Sequence, residues 1–215
     1  PRFTARYAPD GTIHFRATRP GDYELLVSDG KPRTIRVSAD RQPVPLEGDW
    51  EVRFPPGWGA PPRTSFDSLQ SWTEDEDPGI RSFSGIATYA KQFHVGEKLL
   101  QDSPRIELDL GEVREVARVF LNGEEVGISS FAPHVLDITR QIRQGENSLT
   151  IEVANTWLNR LIADDALPRN QRLTHTNLDR GPKLGQRWRD AEPLPSGLLG
   201  PVRLRFPRQF PITKQ

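Results

Sequence analysis

Short runs of alternating apolar and polar residues recur along the chain, and turns containing glycine or proline separate them at spacings of about 8–15 residues. The clearest runs are residues 105–110 and 149–154, and Asn122-Gly123 between two such runs is typical of a tight hairpin turn. No segment shows three turns of helical periodicity. The sequence therefore predicts an all-β fold, namely an antiparallel β-sandwich or jelly roll.

The same alternation predicts which side chains form the core. Because successive side chains of a strand point to opposite faces, the apolar phase of each run must point inward together. We therefore expect one shared core that contains Ile106, Leu108, Leu110, Val119, Leu121, Leu149, Ile151 and Val153.

Composition excludes several classes of protein. The 29 Lys and Arg balance the 29 Asp and Glu, which removes the usual electrostatic reason to expect nucleic acid or an anionic membrane as a partner. Cysteine is absent, so neither disulfides nor thiolate sites can form. No apolar run is long enough to span a membrane, and no signal peptide is recognisable. Because Met is absent even at position 1, we expect a processed product or a piece of a longer protein.

The chain divides into two predicted parts. Residues 1–42 read as short strands with turns at 9–11, 20–22 and 29–30. We expect them to be the tail of a preceding β domain, or strands that rest on the larger domain, since so few residues bury too little surface to fold alone. Residues 41–45 read as a stiff linker, because two of them are proline. Residues 43–215 form the predicted jelly roll, with long loops at 55–82 and 163–197.

Catalytic signatures are missing from the sequence, and we predict no catalytic residue. Its acidic residues cluster at 74–77 and at 164–165, but neighbouring acids on a loop do not give the facing pair of carboxyls that a glycosidase needs. We interpret both clusters as solvated, with a Ca²⁺ site as the minor alternative. The histidines lie in different predicted elements, so a shared metal site is not expected.

Aromatic and polar residues near the long loops suggest sugar binding. A sugar ring can stack on an indole, while amide, guanidinium and carboxylate groups bind its hydroxyls. The candidate carbohydrate-binding residues are Trp157, Asn159, Arg160, Asp164 and Trp188. We expect a loop to leave the strand at residue 154 and to carry the first four of them.

A structural role for the same segment is the alternative. Arg160 and Asp164 could form a salt bridge that pins the long loop, with Trp157 buried beneath it. We favour this structural interpretation over sugar binding by a small margin.

A series of motifs resembles a known family. In order they are residues 84–89 (SGIATY), 108–111 (LDLG), 119–127 (VFLNGEEVG), 137–139 (DIT), 145–149 (GENSL), 155–162 (NTWLNRLI) and 196–202 (SGLLGPV). Together they resemble the sugar-binding domain of glycoside hydrolase family 2, a galactose-binding-like jelly roll. The chain is more closely similar to the C-terminal β-sandwich of the α-L-rhamnosidases of glycoside hydrolase family 106.

This resemblance implies a function. In those large bacterial enzymes a separate barrel carries the catalytic acids, so the chain is expected to be a non-catalytic accessory domain whose partner is the catalytic domain. It implies a periplasmic or secreted location. We expect no cofactor, apart from the Ca²⁺ alternative given above. An autonomous carbohydrate-binding module is the alternative, and a small enzyme of unknown class is the third.

Overall fold

The structure is a computed structural model that describes residues 3–7, 12–17, 19–26, 32–37, 40–101, 103–177, 183, 185–208 and 210–212. The strands in chain order are β1 Phe3–Tyr7, β2 Ile13–Ala17, β3 Gly21–Leu26, β4 Pro32–Val37, β5 Arg41–Pro45, β6 Trp50–Arg53, β7 Arg63–Phe66, β8 Ile86–Val95, β9 Glu107–Asp109, β10 Glu112–Arg114, β11 Val116–Leu121, β12 Glu124–Ser129, β13 Val135–Asp137, β14 Gly145–Ala154, β15 Gly197–Gly200, β16 Arg203–Phe206 and β17 Phe210–Ile212. The helices are α1 Pro78–Arg81, α2 Glu97–Gln101 and α3 Leu158–Asp165, and single 3₁₀ turns cover Trp72–Glu74, Arg169–Gln171 and Trp188–Asp190.

Two antiparallel sheets enclose the main core. The larger has the order β12-β11-β14-β8-β6-β7, and the smaller has the order β13-β9-β16-β5. Side chains from both sheets belong to one buried apolar cluster, and that cluster contains every residue predicted for the core. The all-β antiparallel sandwich expected from the alternation is therefore confirmed.

Two asparagine side chains tie the β11–β12 hairpin turn to the neighbouring strand β14. Asn122 and Gly123 both have positive φ, as the predicted turn type requires. The Asn122 side chain donates to Oδ1 of Asn147 at 2.9 Å. The Asn147 amide, which is fully buried, donates in turn to the backbone oxygen of Arg143 at 2.7 Å. These bonds hold the β11–β12 turn against the start of β14.

Two regions differ from the sequence prediction. The expected linker at 41–45 is strand β5, which pairs with β16 at the edge of the smaller sheet. Proline is tolerated at such an edge, where a missing N–H costs no ladder bond. The expected loop at 55–82 contains β7, a 3₁₀ turn and α1, whose first amides are capped by Asp77.

The N-terminal strands form a small layer of their own. Strands β1, β2 and β17 make one sheet, β3 and β4 make a hairpin, and Phe15, Ala17 and Val37 form a separate buried cluster. Arg16 joins this layer to the sandwich by two bonds to the buried Glu107, at 3.0 and 3.2 Å. The predicted turns at 9–11 and 29–30 lie outside the described residues.

Within the described part of the chain, no helix is both long and apolar enough to cross a membrane.

Candidate functional site

Helix α3 begins just after the central strand β14, and Asn155 fixes this transition. Its side-chain oxygen accepts from the N–H of Gly85 at 2.9 Å. Its amide nitrogen donates to the backbone oxygen of Phe83 at 2.9 Å and to the Ser196 hydroxyl at 3.2 Å. The start of α3 is thereby held to the segments that enter β8 and β15.

The sequence prediction of a loop at 155–164 is wrong, because most of this segment is α3. The buried side chains of the helix are polar or charged, whereas its apolar side chains Leu158, Leu161 and Ile162 are only part-buried, so apolar periodicity does not mark the buried face. The buried side chains are Asn159, Arg160, Asp164 and Asp165. A buried polar face requires partners for each group.

Asn159 is bonded to backbone on a neighbouring segment. Its side-chain nitrogen donates to the backbone oxygen of Leu194 at 2.8 Å, and its oxygen accepts from the N–H of the same residue at 2.9 Å. A further bond of 2.9 Å reaches the Ser196 hydroxyl. This arrangement imitates a pair of strand hydrogen bonds and positions residues 194–196.

Arg160 and Asp164 form a buried ion pair. The Arg160 Nη2 lies 3.0 Å from Oδ1 of Asp164, and the two side chains are 6% and 3% exposed. Asp164 also accepts from the N–H of Thr174 at 2.7 Å, while Arg160 donates to the Ser82 hydroxyl at 3.0 Å. The pair thus anchors the loop that follows α3, as the structural alternative predicted.

Asp165 is surrounded by guanidinium groups. Its carboxylate lies 2.9 Å from Arg187, 3.2 Å from Arg189 and 3.7 Å from Arg172, although only 5% of its own side chain is exposed. Hydrogen bonds, first from Arg187 and then from Arg189, hold the pKa of Asp165 well below its usual range. Asp165 is therefore a permanent anion at neutral pH.

A cleft of about 680 Å³, here named the arginine cleft, opens beside these groups. Its walls include charged and aromatic side chains from α3 and from the segments that follow it, namely Asp164, Asp165, Arg169, Arg172, Arg187 and Trp188. The volume falls within the range of small-molecule sites.

Trp157 lies apart from this cleft and is half exposed. Its indole packs edge-to-face on Trp58, with ring centroids 5.3 Å apart. Because Trp157 is 50% exposed, the prediction that it is buried beneath the salt bridge is wrong. About half of the side chain is instead open to solvent.

The predicted sugar-binding residues are therefore not brought together in one place. Asp164 and Trp188 line the arginine cleft, whereas Asn159 and Arg160 line a second cleft of about 480 Å³, and Trp157 pairs with Trp58. Sequence reasoning missed Arg169, Arg172 and Arg187. The sequence feature that could have identified them is the high frequency of arginine between residues 169 and 189.

The acidic cluster at 74–77 has local structural partners. Asp77 caps α1 by accepting from the N–H of Gly79 at 2.7 Å, and Asp75 accepts from the N–H of Asp77 at 2.8 Å. Across the described residues, no three His, Asp or Glu side chains converge as a metal site would require. The structure therefore offers no ligand cluster to the calcium alternative in the part it describes.

Comparison with known proteins identifies similar domains in glycoside hydrolases. The model of the glycosyl hydrolase 2 galactose-binding domain-like family matches residues 81–193. A protein of Formosa agariphila, provisionally named a beta-glucuronidase, is 37% identical over 221 residues that cover 91% of this chain and 18% of that protein. The solved rhamnosidase of Novosphingobium sp. PP1Y superposes with a TM-score of 0.68 at 29% identity, covering 95% of this chain and 25% of the rhamnosidase. The chain thus spans a quarter or less of either protein.

Proposed function

Because the chain belongs to the glycosyl hydrolase 2 galactose-binding domain-like family, we propose that it is a non-catalytic accessory domain of a larger glycoside hydrolase. In this role it packs beside the catalytic domain and contributes to carbohydrate binding. The proposal includes two structural units, residues 1–42 and 43–215. The separate apolar cluster of the N-terminal strands supports that division. Two strands depart from it, since β17 near the end of the chain pairs with β2, and β5 crosses the boundary as part of the smaller sheet.

The main evidence for a non-catalytic role is that arginines engage the carboxylates of Asp164 and Asp165. A glycosidase acid must hold a proton near neutral pH, and its nucleophile or base must have a free oxygen facing the sugar. Asp164 is paired with Arg160 and accepts from the N–H of Thr174, and Asp165 is held ionised by arginines that occupy its oxygens. Asp165 therefore cannot act as the acid, and both carboxylates are engaged by protein groups.

The rhamnosidase supports the finer assignment of the parent. Its similarity covers 95% of the chain and so includes the N-terminal strands as well as the sandwich. We therefore propose that the parent is an α-L-rhamnosidase-like enzyme.

Exposed apolar side chains at one edge of the larger sheet support packing against a catalytic domain. Ile128 in the edge strand β12 is 61% exposed, and Phe131 just beyond it is 86% exposed. Exposed apolar groups of this size at a sheet edge are typical of surfaces that another domain covers.

The packing role can be tested on the full-length protein and on the 215-residue chain. Phe131→Ser should leave the melting temperature of the chain unchanged, since this side chain contacts mainly solvent. In the full-length protein it should speed hydrogen exchange of residues 129–134 and release of the domain by limited proteolysis. Leu26→Ser, an exposed leucine in β3, is the matched control. Packing at this edge would be contradicted if residues 129–134 exchanged hydrogen equally fast in the 215-residue chain and in the full-length protein. It would also be contradicted if Phe131→Ser and Leu26→Ser changed exchange and proteolytic release equally.

A second candidate, an autonomous carbohydrate-binding module, is favoured by the half-exposed Trp157. An indole open to solvent is suitable for stacking on a sugar ring. Under this alternative the 215-residue chain binds a neutral oligosaccharide, and Trp157→Ala abolishes that binding. Under the accessory-domain proposal Trp157→Ala leaves any sugar binding at the arginine cleft intact.

A further inference from the structure

The described lining of the arginine cleft carries more positive than negative charge. Asp164 is already paired with Arg160. Asp165 is the other carboxylate among the described lining residues, and it lies beside Arg172 and Arg187. Arg169 adds a third guanidinium to the same wall. Guanidinium groups cannot lose their protons near neutral pH, so these positive charges persist under all such conditions.

Arg169 is the clearest unsatisfied group. Its side chain is exposed on the cleft wall and makes no ion pair or side-chain hydrogen bond with any residue that the structure describes. Arg172 also keeps donor capacity, since its Nε donates to the backbone oxygen of Leu167 at 2.9 Å while its Nη2 lies 3.7 Å from Asp165. Together they offer forked donors of the geometry that an oxyanion accepts.

The rest of the wall has groups suited to a sugar. Trp188 contributes a half-buried indole, and Thr174, His175 and Asn177 contribute hydroxyl, imidazole and amide groups. A free inorganic anion needs no aromatic wall, and a cleft of about 680 Å³ is much larger than such an ion requires.

We propose that the arginine cleft binds a sugar that carries an oxyanion, either a uronic acid carboxylate or a sulfate ester. Arg169 and Arg172 bind the anionic group, and Trp188 packs on the sugar ring. Asp165 positions Arg172 and Arg187 through its ion pairs with them. This inference rests on the proposed function, since it specifies the carbohydrate that the accessory domain contacts.

Arg169→Gln is the test variant, because an exposed residue without described partners can be replaced without loss of folding. Arg140→Gln is the matched control, with the same change of charge at an exposed turn remote from the cleft in sequence and outside its lining. Thermal melts of both variants should match the parent chain.

Binding to the 215-residue chain is measured by NMR titration with D-glucuronate, glucose 6-sulfate, glucose and inorganic sulfate at low salt. We expect one or both anionic sugars to bind, and the tighter one identifies the anionic group. Arg169→Gln should weaken that binding by about tenfold, as expected for one charge-assisted bond, and Arg140→Gln should not change it. Added salt should weaken it as well.

Other outcomes would overturn the inference in distinguishable ways. Glucose binding as tightly as the anionic sugars would remove the anion requirement but leave the accessory function standing. Inorganic sulfate binding as tightly as the sugars would show a simple anion site. If no sugar binds and Arg169→Gln instead loosens the domain in the full-length protein, the cleft holds an acidic protein surface. Hydrolytic activity of the chain would overturn the accessory function itself.

Discussion

The carboxylate of Asp164 lies 3.0 Å from the guanidinium of Arg160, one helical turn earlier on α3, and both side chains are almost wholly buried. The same carboxylate accepts from the N–H of Thr174, ten residues further along the chain. The ion pair therefore joins three parts of the chain. Arg160 and Asp164 lie on α3, Arg160 also contacts Ser82 in the segment before β8, and Asp164 also contacts the loop that follows α3.

Arg160→Ala should lower the free energy of unfolding by about 1–3 kcal/mol, because it leaves the Asp164 carboxylate buried without its counter-charge. The measurement is urea denaturation of the chain at pH 7, with the exposed Arg140→Ala as the control. An unchanged midpoint for Arg160→Ala would show that the pair does not anchor the loop.

Stability should depend on pH through Asp165. Its pKa is lowered in the folded protein, so its contribution is fully present above the pKa of about 4 of an unfolded aspartate and is lost as pH falls below that value. Asp165→Asn should therefore reduce the loss of stability between pH 5 and pH 3, as followed by urea midpoints. Glu192→Gln, which alters an exposed side chain, is the control, and equal slopes for the two variants would contradict the assignment.

Ile151→Ala should destabilise the chain by about 2–5 kcal/mol, since it opens a cavity at the centre of the larger sheet. Ile151 is fully buried and lies in register between Tyr89 of β8 and Val119 of β11. Ile86→Ala, the same substitution at a 55% exposed position on β8, should change stability much less. Similar urea-denaturation midpoints for the two variants would show that the buried face of β14 is assigned wrongly.

The sandwich could be predicted from the sequence because its strands each have one buried face. That arrangement produces the period-two pattern seen at 149–154, and it identified the core residues without knowledge of the pairing. Strand β5 was missed because Pro43 and Pro45 resemble a linker, although an edge strand accepts proline where its N–H would face outward.

The site was harder to predict because its organisation depends on polar contacts between distant segments. Helix α3 buries Asn159 and Asp164 most deeply, and its apolar residues form only a short stripe that is part-buried, so the apolar pattern does not show which face is buried. The Arg160–Asp164 pair was predicted from its spacing of four residues, which is the local part of the network. The convergence of Arg172 and Arg187 on Asp165 joins residues far apart along the chain, and single-sequence patterns do not encode such a contact.

The most direct test of the account is hydrolysis of aryl glycosides by the purified 215-residue chain. Aryl rhamnoside, glucuronide and galactoside are each incubated with the chain, with Asp164→Asn and with Asp165→Asn. No turnover above the blank is expected for any of these proteins, because arginines engage both carboxylates. Turnover that survives repurification and disappears in either variant would contradict it.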